Sequence, residues 1–201
     1  MQINKDTKLF GSFSNTPGNN GCKYFNARFQ EEGINAIYKS FKGLDAKDII
    51  SSARTLNFSG YALSMPLKVS CIPYLDSMNE DAKEINAVNT VLNINGKQVG
   101  YNTDWLGVRE YFKKHNINSI SIIGTGGFSK AIQYCCRIEG IDYEIFNREN
   151  IKKITKAKYN IFNATPANFI CDIDGRPNTP TGREIAELQA KEQFKLYKLV
   201  L

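Results

Sequence analysis

Apolar and polar positions alternate along the first hundred residues in short runs that switch between strand-like and helix-like periods. Residues 8–13 read as a short strand, and the Pro, Gly and Asn of residues 15–21 as a loop. A helix is expected from about Lys23 through Phe29 to Glu32, where Gly33 offers a natural stop. Residues 36–41 alternate as a strand. Asp45 can cap a helix that carries Ile49, Ile50 and Ala53 and ends before Asn57. Residues 61–65 form another strand halted by Pro66, with Lys68 in the turn or first helical turn beyond it. Residues 87–107 hold two strands around Asn95-Gly96, a dipeptide that favours hairpins because both residues tolerate positive φ. A helix follows through Trp105, Val108, Tyr111 and Phe112, and Asp104 stands where its N-cap would be.

The second half opens on an apolar strand of the buried parallel type, residues 119–123. A glycine-rich turn (residues 124–127) leads into a helix that runs to Ile138 and ends at Gly140. Residues 143–146 and 159–162 are the next strands, and residues 172–181 read as irregular. A last helix is expected from about Gly182, with Ala186, Ala190, Phe194, Tyr197 and Leu201 on one apolar stripe and Gln189 beside it. Strands alternating with helices define an α/β protein.

Composition narrows the function classes. Hydrophobic content of 42% and charged content of 23% belong to a globular protein rather than a disordered one. No apolar run approaches a membrane span, and the first residues lack the apolar stretch of a signal peptide. Five cysteines without a C-x-x-C pair suit reduced thiols and a cytoplasmic location. His115 is the only histidine, which excludes a multi-histidine metal site and disfavours histidine-dependent nucleophiles. The net charge of +6 suits nucleic acid or an anionic small molecule; no basic stripe interleaves with aromatics, so the small molecule is favoured.

The strand, glycine turn and helix at residues 119–138 form a unit that can cradle a pyrophosphate. Its glycines let backbone approach the phosphates, and the helix N-terminus favours their charge. A purely structural tight turn is the competing reading. After the next strand comes Asn147-Arg148-Glu149. An arginine there suits the 2′-phosphate of NADP, where an acid would suit the ribose of NAD; a solvated surface charge is the alternative. Taken singly, Asp104 reads as a helix cap, Lys68 as a surface lysine, Asn89 as a turn residue and Gln189 as a solvated helix residue.

Taken together and in order, these residues resemble the shikimate dehydrogenase family, and more closely its dehydrogenase-like branch. The lysine motif of that family is matched by residues 62–68, with Ser64 keeping a hydroxyl and Ala62 in place of asparagine. Ala87-Val88-Asn89-Thr90, Asn102-Thr103-Asp104, the turn from Gly124 to Ala131, Asn147-Arg148 and the loop Asn163-Ala164-Thr165-Pro166 match further motifs. Gly182 and Gln189 keep the spacing of the C-terminal one. The first loop departs from the usual pattern: it reads Ser12-Phe13-Ser14 and then Pro17-Gly18-Asn19, as in the dehydrogenase-like branch. The cofactor half lacks tens of residues between Arg148 and Asn163 and between Asn168 and Gly182, so a helix and some strands should be missing.

The resemblance implies two lobes. The first is an α/β substrate-binding domain of residues 1–103 joined by the C-terminal helix, 182–201. The second is a shortened Rossmann-like NADP-binding domain, residues 104–181. It implies NADP-dependent reduction of 3-dehydroshikimate, or a related cyclic hydroxy acid, with Lys68 as proton donor and acceptor paired with Asp104. A lysine ammonium carries a proton at neutral pH and can stabilise the developing alkoxide. Ser12, Ser14, Asn19, Ser64, Asn89, Thr103 and Gln189 would bind the substrate. Gly124, Gly126, Gly127, Phe128, Asn147, Arg148, Asn163 and Thr165 would bind the cofactor. The implied partner is a small molecule, with no nucleic acid, membrane or metal; the sequence leaves the oligomeric state open. The alternative is a binding protein that has lost productive use of the cofactor.

Overall fold

The computed structural model describes residues 3–201. It divides into two compact units: the chain up to Asn102 together with Gln193–Leu201, and Thr103–Glu192.

The first unit is built on a six-stranded sheet. Its strands are β1 (Lys8–Ser14), β2 (Ala36–Lys42), β3 (Phe58–Leu63), β4 (Ser77–Met78), β5 (Thr90–Ile94) and β6 (Lys97–Tyr101), in the order β2-β1-β3-β5-β6-β4. β1 is parallel to β2 and β3, and β5 is antiparallel to β3 and β6. Asn95 and Gly96 turn β5 into β6 with φ of 53° and 81°, the left-handed pair that the Asn-Gly dipeptide predicts.

Helices α1 (Asn20–Glu31), α2 (Ala46–Thr55), α3 (Leu67–Ser70) and α4 (Glu80–Ile85) complete this unit. α1 starts three residues earlier than expected: Asn19 sits at its N-cap position and its carbonyl takes the amide of Lys23. Asp45 caps α2 by accepting from the Asp48 amide at 2.9 Å. β3 begins at Phe58 rather than Tyr61 and stops at Leu63, because Ser64 bonds to Phe13 and opens a turn to Leu67.

One face of this sheet is covered by aromatic rings. Phe10, Phe25 and Phe29 meet Phe194 and Tyr197 from the end of the C-terminal helix, with the Phe10 and Tyr197 ring centroids 4.7 Å apart. Gly60 makes room for this: a Cβ there would stand 3.0 Å from the Tyr197 ring. The opposite face buries Phe13, Tyr61, Leu63 and Val91 against Ile49, Ile50 and Leu67.

The second unit has a four-stranded parallel sheet, order β10-β9-β7-β8, from β7 (Ser119–Ile123), β8 (Asp142–Phe146), β9 (Ile161–Asn163) and β10 (Ile173–Asp174). Its helices are α5 (Asp104–Lys114), α6 (Gly127–Glu139) and α7 (Pro180–Tyr197), of which α7 belongs to this unit as far as Glu192. Phe162 of β9 packs between Phe112 of α5 and Phe128 of α6. Gly140 ends α6 in the left-handed conformation, φ 67°.

The deletions show in the crossovers. Between β8 and β9 the chain makes only a 3-10 segment, Ile151–Lys156, and no helix joins β9 to β10. The sheet face met by the residues after that segment is polar. Ser121 donates to Glu144 at 2.6 Å, the same carboxylate oxygen accepts the Lys158 amide, and the Ser121 hydroxyl accepts the Tyr159 amide.

Three expectations are corrected in this half. The third strand is Ile161–Asn163, later than expected, because the amide of Tyr159 goes to a side chain rather than to a neighbouring strand. The segment thought irregular contributes β10, parallel to β9. α7 starts at Pro180: the Thr179 hydroxyl accepts the Gly182 amide as a cap does, and proline suits the first helical position.

The buried stripe of α7 also differs. Ile185, Ala190, Gln193, Phe194 and Tyr197 are buried, whereas Ala186 and Leu201 are exposed. Ala186 faces away because Ile185, one residue earlier, meets α5 at Gly107. Residues 182–192 group with the second unit, and Gln193–Leu201 with the first. Among the described residues no helix is long and apolar enough to cross a membrane.

Candidate functional site

In the first unit the motif residues converge at the ends of β1, β3 and β5. Lys68 lies on α3, half-buried, and its carbonyl accepts the Val88 amide at 2.7 Å. The next residue, Asn89, gives its carbonyl to Leu63 and its amide to Tyr101. The lysine helix and the Ala87–Thr90 stretch are thus one hydrogen-bonded piece. Asn102 adds a further tie, its side chain donating to the Ala87 carbonyl at 2.9 Å.

Asn89 is 4% exposed, and the Thr90 hydroxyl donates to its Oδ1 at 2.9 Å. Ser64 is exposed at the end of β3. Ser12 donates to Ser40 Oγ at 3.0 Å, and the Cys22 thiol lies 3.3 Å from the same oxygen. Ser14 is half-buried at the end of β1; Asn19 is exposed, at the N-cap position of α1 but without a side-chain capping bond.

In the second unit Thr103, not Asp104, takes the N-cap position of α5, so the cap reading of Asp104 is corrected. Asp104 is the first helical residue, where the helix dipole favours a carboxylate, and it is 6% exposed. The Thr103 hydroxyl donates to Gln189 Oε1 at 2.7 Å. That bond fixes the oxygen end of the amide and hence the direction of its NH2 group. Gly107, one turn further along α5, lets α7 approach closely enough for it.

The glycine-rich turn has the features of a phosphate cradle. Gly124 adopts φ 119°, and a Cβ there would stand 2.8 Å from Thr165 Cγ2. Gly126 precedes α6 without a side-chain cap, and a Cβ there would meet nothing within 4 Å. A thirteen-residue helix starts at Gly127, and backbone at its N-terminus is open to an anion. The buried Ser129 hydroxyl ties the turn down by donating to the Gly124 carbonyl at 2.6 Å. Phe128 is half-buried.

Asn163 and Thr165 hold the neighbouring loop. Asn163 Oδ1 accepts from the Thr165 amide and hydroxyl, and its NH2 donates to the Ala167 carbonyl. Asn147 Oδ1 accepts the amides of Glu149 and Asn150, so its oxygen is engaged in its own turn. Arg148 is exposed just beyond β8. Among the described residues no group of carboxylates, thiols and imidazole could hold a metal.

Gly107, Thr90 and Gln193 are absent from the residues that the sequence singled out for roles. Gln193 had a signal: it stands one helical turn after Gln189, on the face that also carries Tyr197. Gly107 had none, because helical pattern alone treats it as a weak helix former.

The arrangement is that of a two-unit α/β protein with a Rossmann-like second unit. A model of the shikimate dehydrogenase substrate-binding domain matches residues 20–91. A shikimate dehydrogenase (NADP(+)) of Methanococcus maripaludis is 33% identical over 89% of this chain and 75% of its own. A shikimate dehydrogenase-like protein of Haemophilus influenzae is 35% identical over 75% of this chain and 56% of its own. A solved structure of a shikimate 5-dehydrogenase-like protein superposes with a TM-score of 0.78 at 27% identity, covering 98% of this chain and 93% of that one. The chain belongs to the shikimate dehydrogenase family, on the side of its dehydrogenase-like branch. It spans about half the length of the first curated relatives it matches, 56% and 51%.

Proposed function

We propose that the protein is an NADP-dependent oxidoreductase that interconverts 3-dehydroshikimate, or a related cyclic hydroxy acid, and its alcohol. The observation that carries this reading is the hydrogen bond from the Val88 amide to the Lys68 carbonyl, which joins the lysine to the Asn89 motif. Reduction of the ketone needs a hydride, which the nicotinamide supplies when bound, and a proton on the developing alkoxide. Lys68 delivers that proton and takes it back in the reverse direction. Asp104 is the carboxylate that the family's motif order pairs with it. Asn89, Gln189, Ser64 and Thr103 provide the amides and hydroxyls that a polyol requires. Ser12, Ser14 and Asn19 are the first-loop groups that complete the substrate site.

The turn from Gly124 to Gly127 fits a pyrophosphate, since the helix start is uncapped and the backbone at Gly126 is open. Arg148 fits a 2′-phosphate. The location that suits this chemistry is the cytoplasm. The test is the absorbance of NADPH with purified protein, shikimate and NADP. Turnover that requires both supports the reading; its absence at saturating concentrations with shikimate and with related cyclic hydroxy acids refutes it.

A second reading is favoured by two specific features. The crossover from β8 to β9 is a 3-10 segment, and the Asn147 and Asn163 side chains are engaged within their own loops. A protein that binds the hydroxy acid without turnover would have this character. Calorimetric binding of shikimate with no NADPH formed would identify it.

A further inference from the structure

We propose that Gln193 is a positioning residue that fixes which end of the Asn89 side chain meets the substrate. The inference rests on the proposed role of Asn89 in binding a hydroxyl. Three side chains form a chain of hydrogen bonds inside the first unit. Gln193 Nε2 donates to Thr90 Oγ1 at 2.7 Å, and Thr90 Oγ1 donates to Asn89 Oδ1 at 2.9 Å. The three residues are 2%, 0% and 4% exposed.

Helix packing puts the glutamine there. Tyr197 lies over Gly60, whose strand partner is Leu92. Gln193 stands one turn earlier on α7, and Thr90 lies two residues before Leu92 on the same face of β5. The rings of Phe194 and Tyr197 therefore hold the amide in register with the hydroxyl.

The chain of bonds has a direction. A carboxamide NH2 donates and cannot accept, so Gln193 occupies an acceptor position of the Thr90 oxygen. The hydroxyl hydrogen of Thr90 then points to Asn89, which must turn its oxygen toward Thr90. The Asn89 NH2 is thereby directed the other way, as a hydrogen-bond donor. Without Gln193 the donor that holds the Thr90 hydroxyl in this direction is lost, and with it the constraint that Thr90 places on the Asn89 carboxamide. A buried glutamine on α7 thus sets donor polarity at the residue that precedes a central strand.

Two measurements test this, one independent of substrate. The Asn89 side-chain NH2 resonances, assigned by their loss in Asn89→Ala, should be a single sharp pair in the wild-type protein. They should broaden or double in Gln193→Met, which keeps the volume and removes the donor, and in Thr90→Val. Thr90→Ser should restore the single pair. Unchanged Asn89 resonances in folded Gln193→Met and Thr90→Val overturn the inference, whether or not the protein binds shikimate. The second measurement is a double-mutant cycle on shikimate affinity. Gln193→Met should weaken binding about tenfold or more in the wild-type background, the scale of a lost hydrogen bond. In the Asn89→Ala background it should change affinity by less than about twofold, within the error of additivity. Equal losses in both backgrounds would overturn it. A wild-type protein that binds no shikimate but shows the expected resonances refutes the proposed function and leaves the positioning role supported.

Discussion

Gly107 and Gln189 meet backbone to side chain: a Cβ on Gly107 would stand 2.7 Å from Gln189 Cβ and 2.8 Å from its amide nitrogen. The Ile185 carbonyl oxygen would lie 2.8 Å away as well. Two of these atoms are helix backbone and the third is a Cβ fixed by it, so none can rotate aside. Gly107→Ala gains helix propensity of about 0.5–1 kcal/mol but forces α5 and α7 apart, and overpacking typically costs about 1–3 kcal/mol. The expected outcome is a net loss of stability, read as a lower denaturation midpoint. Weaker shikimate binding should accompany it as the Thr103–Gln189 bond lengthens. A stabilised Gly107→Ala protein would show that the two helices are not in the tight contact described.

Lys68→Ala should lower turnover by about 100-fold or more, the scale of a general acid. Substrate binding should weaken less, because Asn89, Gln189 and the serines are untouched. Lys68 sits on a four-residue helix whose backbone is held by Val88, so its removal leaves the local fold intact. An unchanged rate in an active preparation rules out the catalytic role.

The fold was legible where short-range rules decide it. Asn95-Gly96 announced its hairpin, Asp45 its cap and Gly140 its helix stop. Each rests on the conformational preference of one or two residues. The failures are tertiary. Asp104 reads as a cap because acids prefer that position, but the chain enters α5 one residue earlier. The apolar stripe of α7 was drawn through Ala186, although the helix buries Ile185 against Gly107 and carries two glutamines on its inner face. Periodicity sorts residues by polarity, and a buried amide that is fully hydrogen-bonded defeats that sorting. The loss of a crossover helix could be read from the short spacing between motifs once the family resemblance was drawn. That Ser121 bonds to Glu144 there could not, because the bond joins residues on different strands.

Cofactor choice is a third test. Arg148 is exposed directly beyond β8, with Lys152 and Lys153 close behind in the sequence, and no acid stands at Asn147. NADP should bind more tightly than NAD at low salt, and the difference should shrink as salt rises, because the charges are exposed and screened. Titration by fluorescence or calorimetry at two salt concentrations reads this. Equal affinities at low salt would sink the assignment of Arg148.

The thiols give a prediction about pH. Burial pushes Cys71, Cys135 and Cys136 up to about 12, whereas Cys22 and Cys171 are half-exposed. A thiol-reactive dye should label Cys22 and Cys171 in the native protein and the other three only on unfolding. Modification of Cys22 should weaken substrate binding, since its sulfur touches Ser40 and Ser40 touches Ser12. The sign of the stability effect follows from the raised folded values. Below about 9 the thiols are protonated in both states and the contribution is complete. As pH rises from there toward about 12 the unfolded chain loses these protons first, so stability falls. Denaturant midpoints should be flat below that window and decline within it. Replacing Cys135 and Cys136 by alanine should make the decline shallower, leaving the part due to Cys71.

The last test separates packing from chemistry along α7. Phe194 is 4% exposed, lies 5.8 Å from the Phe29 ring, and is flanked by Arg28 and Lys198 with their charges 5.1 Å and 5.4 Å from its centroid. Phe194→Ala removes an aromatic ring from a packed cluster and should destabilise the protein by about 3–5 kcal/mol. Gln189, one and a half turns earlier, is half-buried and bonded to Thr103. Gln189→Ala should lower stability by only about 0.5–1.5 kcal/mol for the lost Thr103 bond, the net worth of a neutral hydrogen bond. If its amide holds a substrate hydroxyl, shikimate affinity should fall by about 1–3 kcal/mol. The two variants therefore move opposite observables, stability for the ring and affinity for the amide. Should Gln189→Ala lower stability as much as Phe194→Ala while shikimate affinity stays the same, the glutamine is a packing residue and the substrate role assigned to it is wrong.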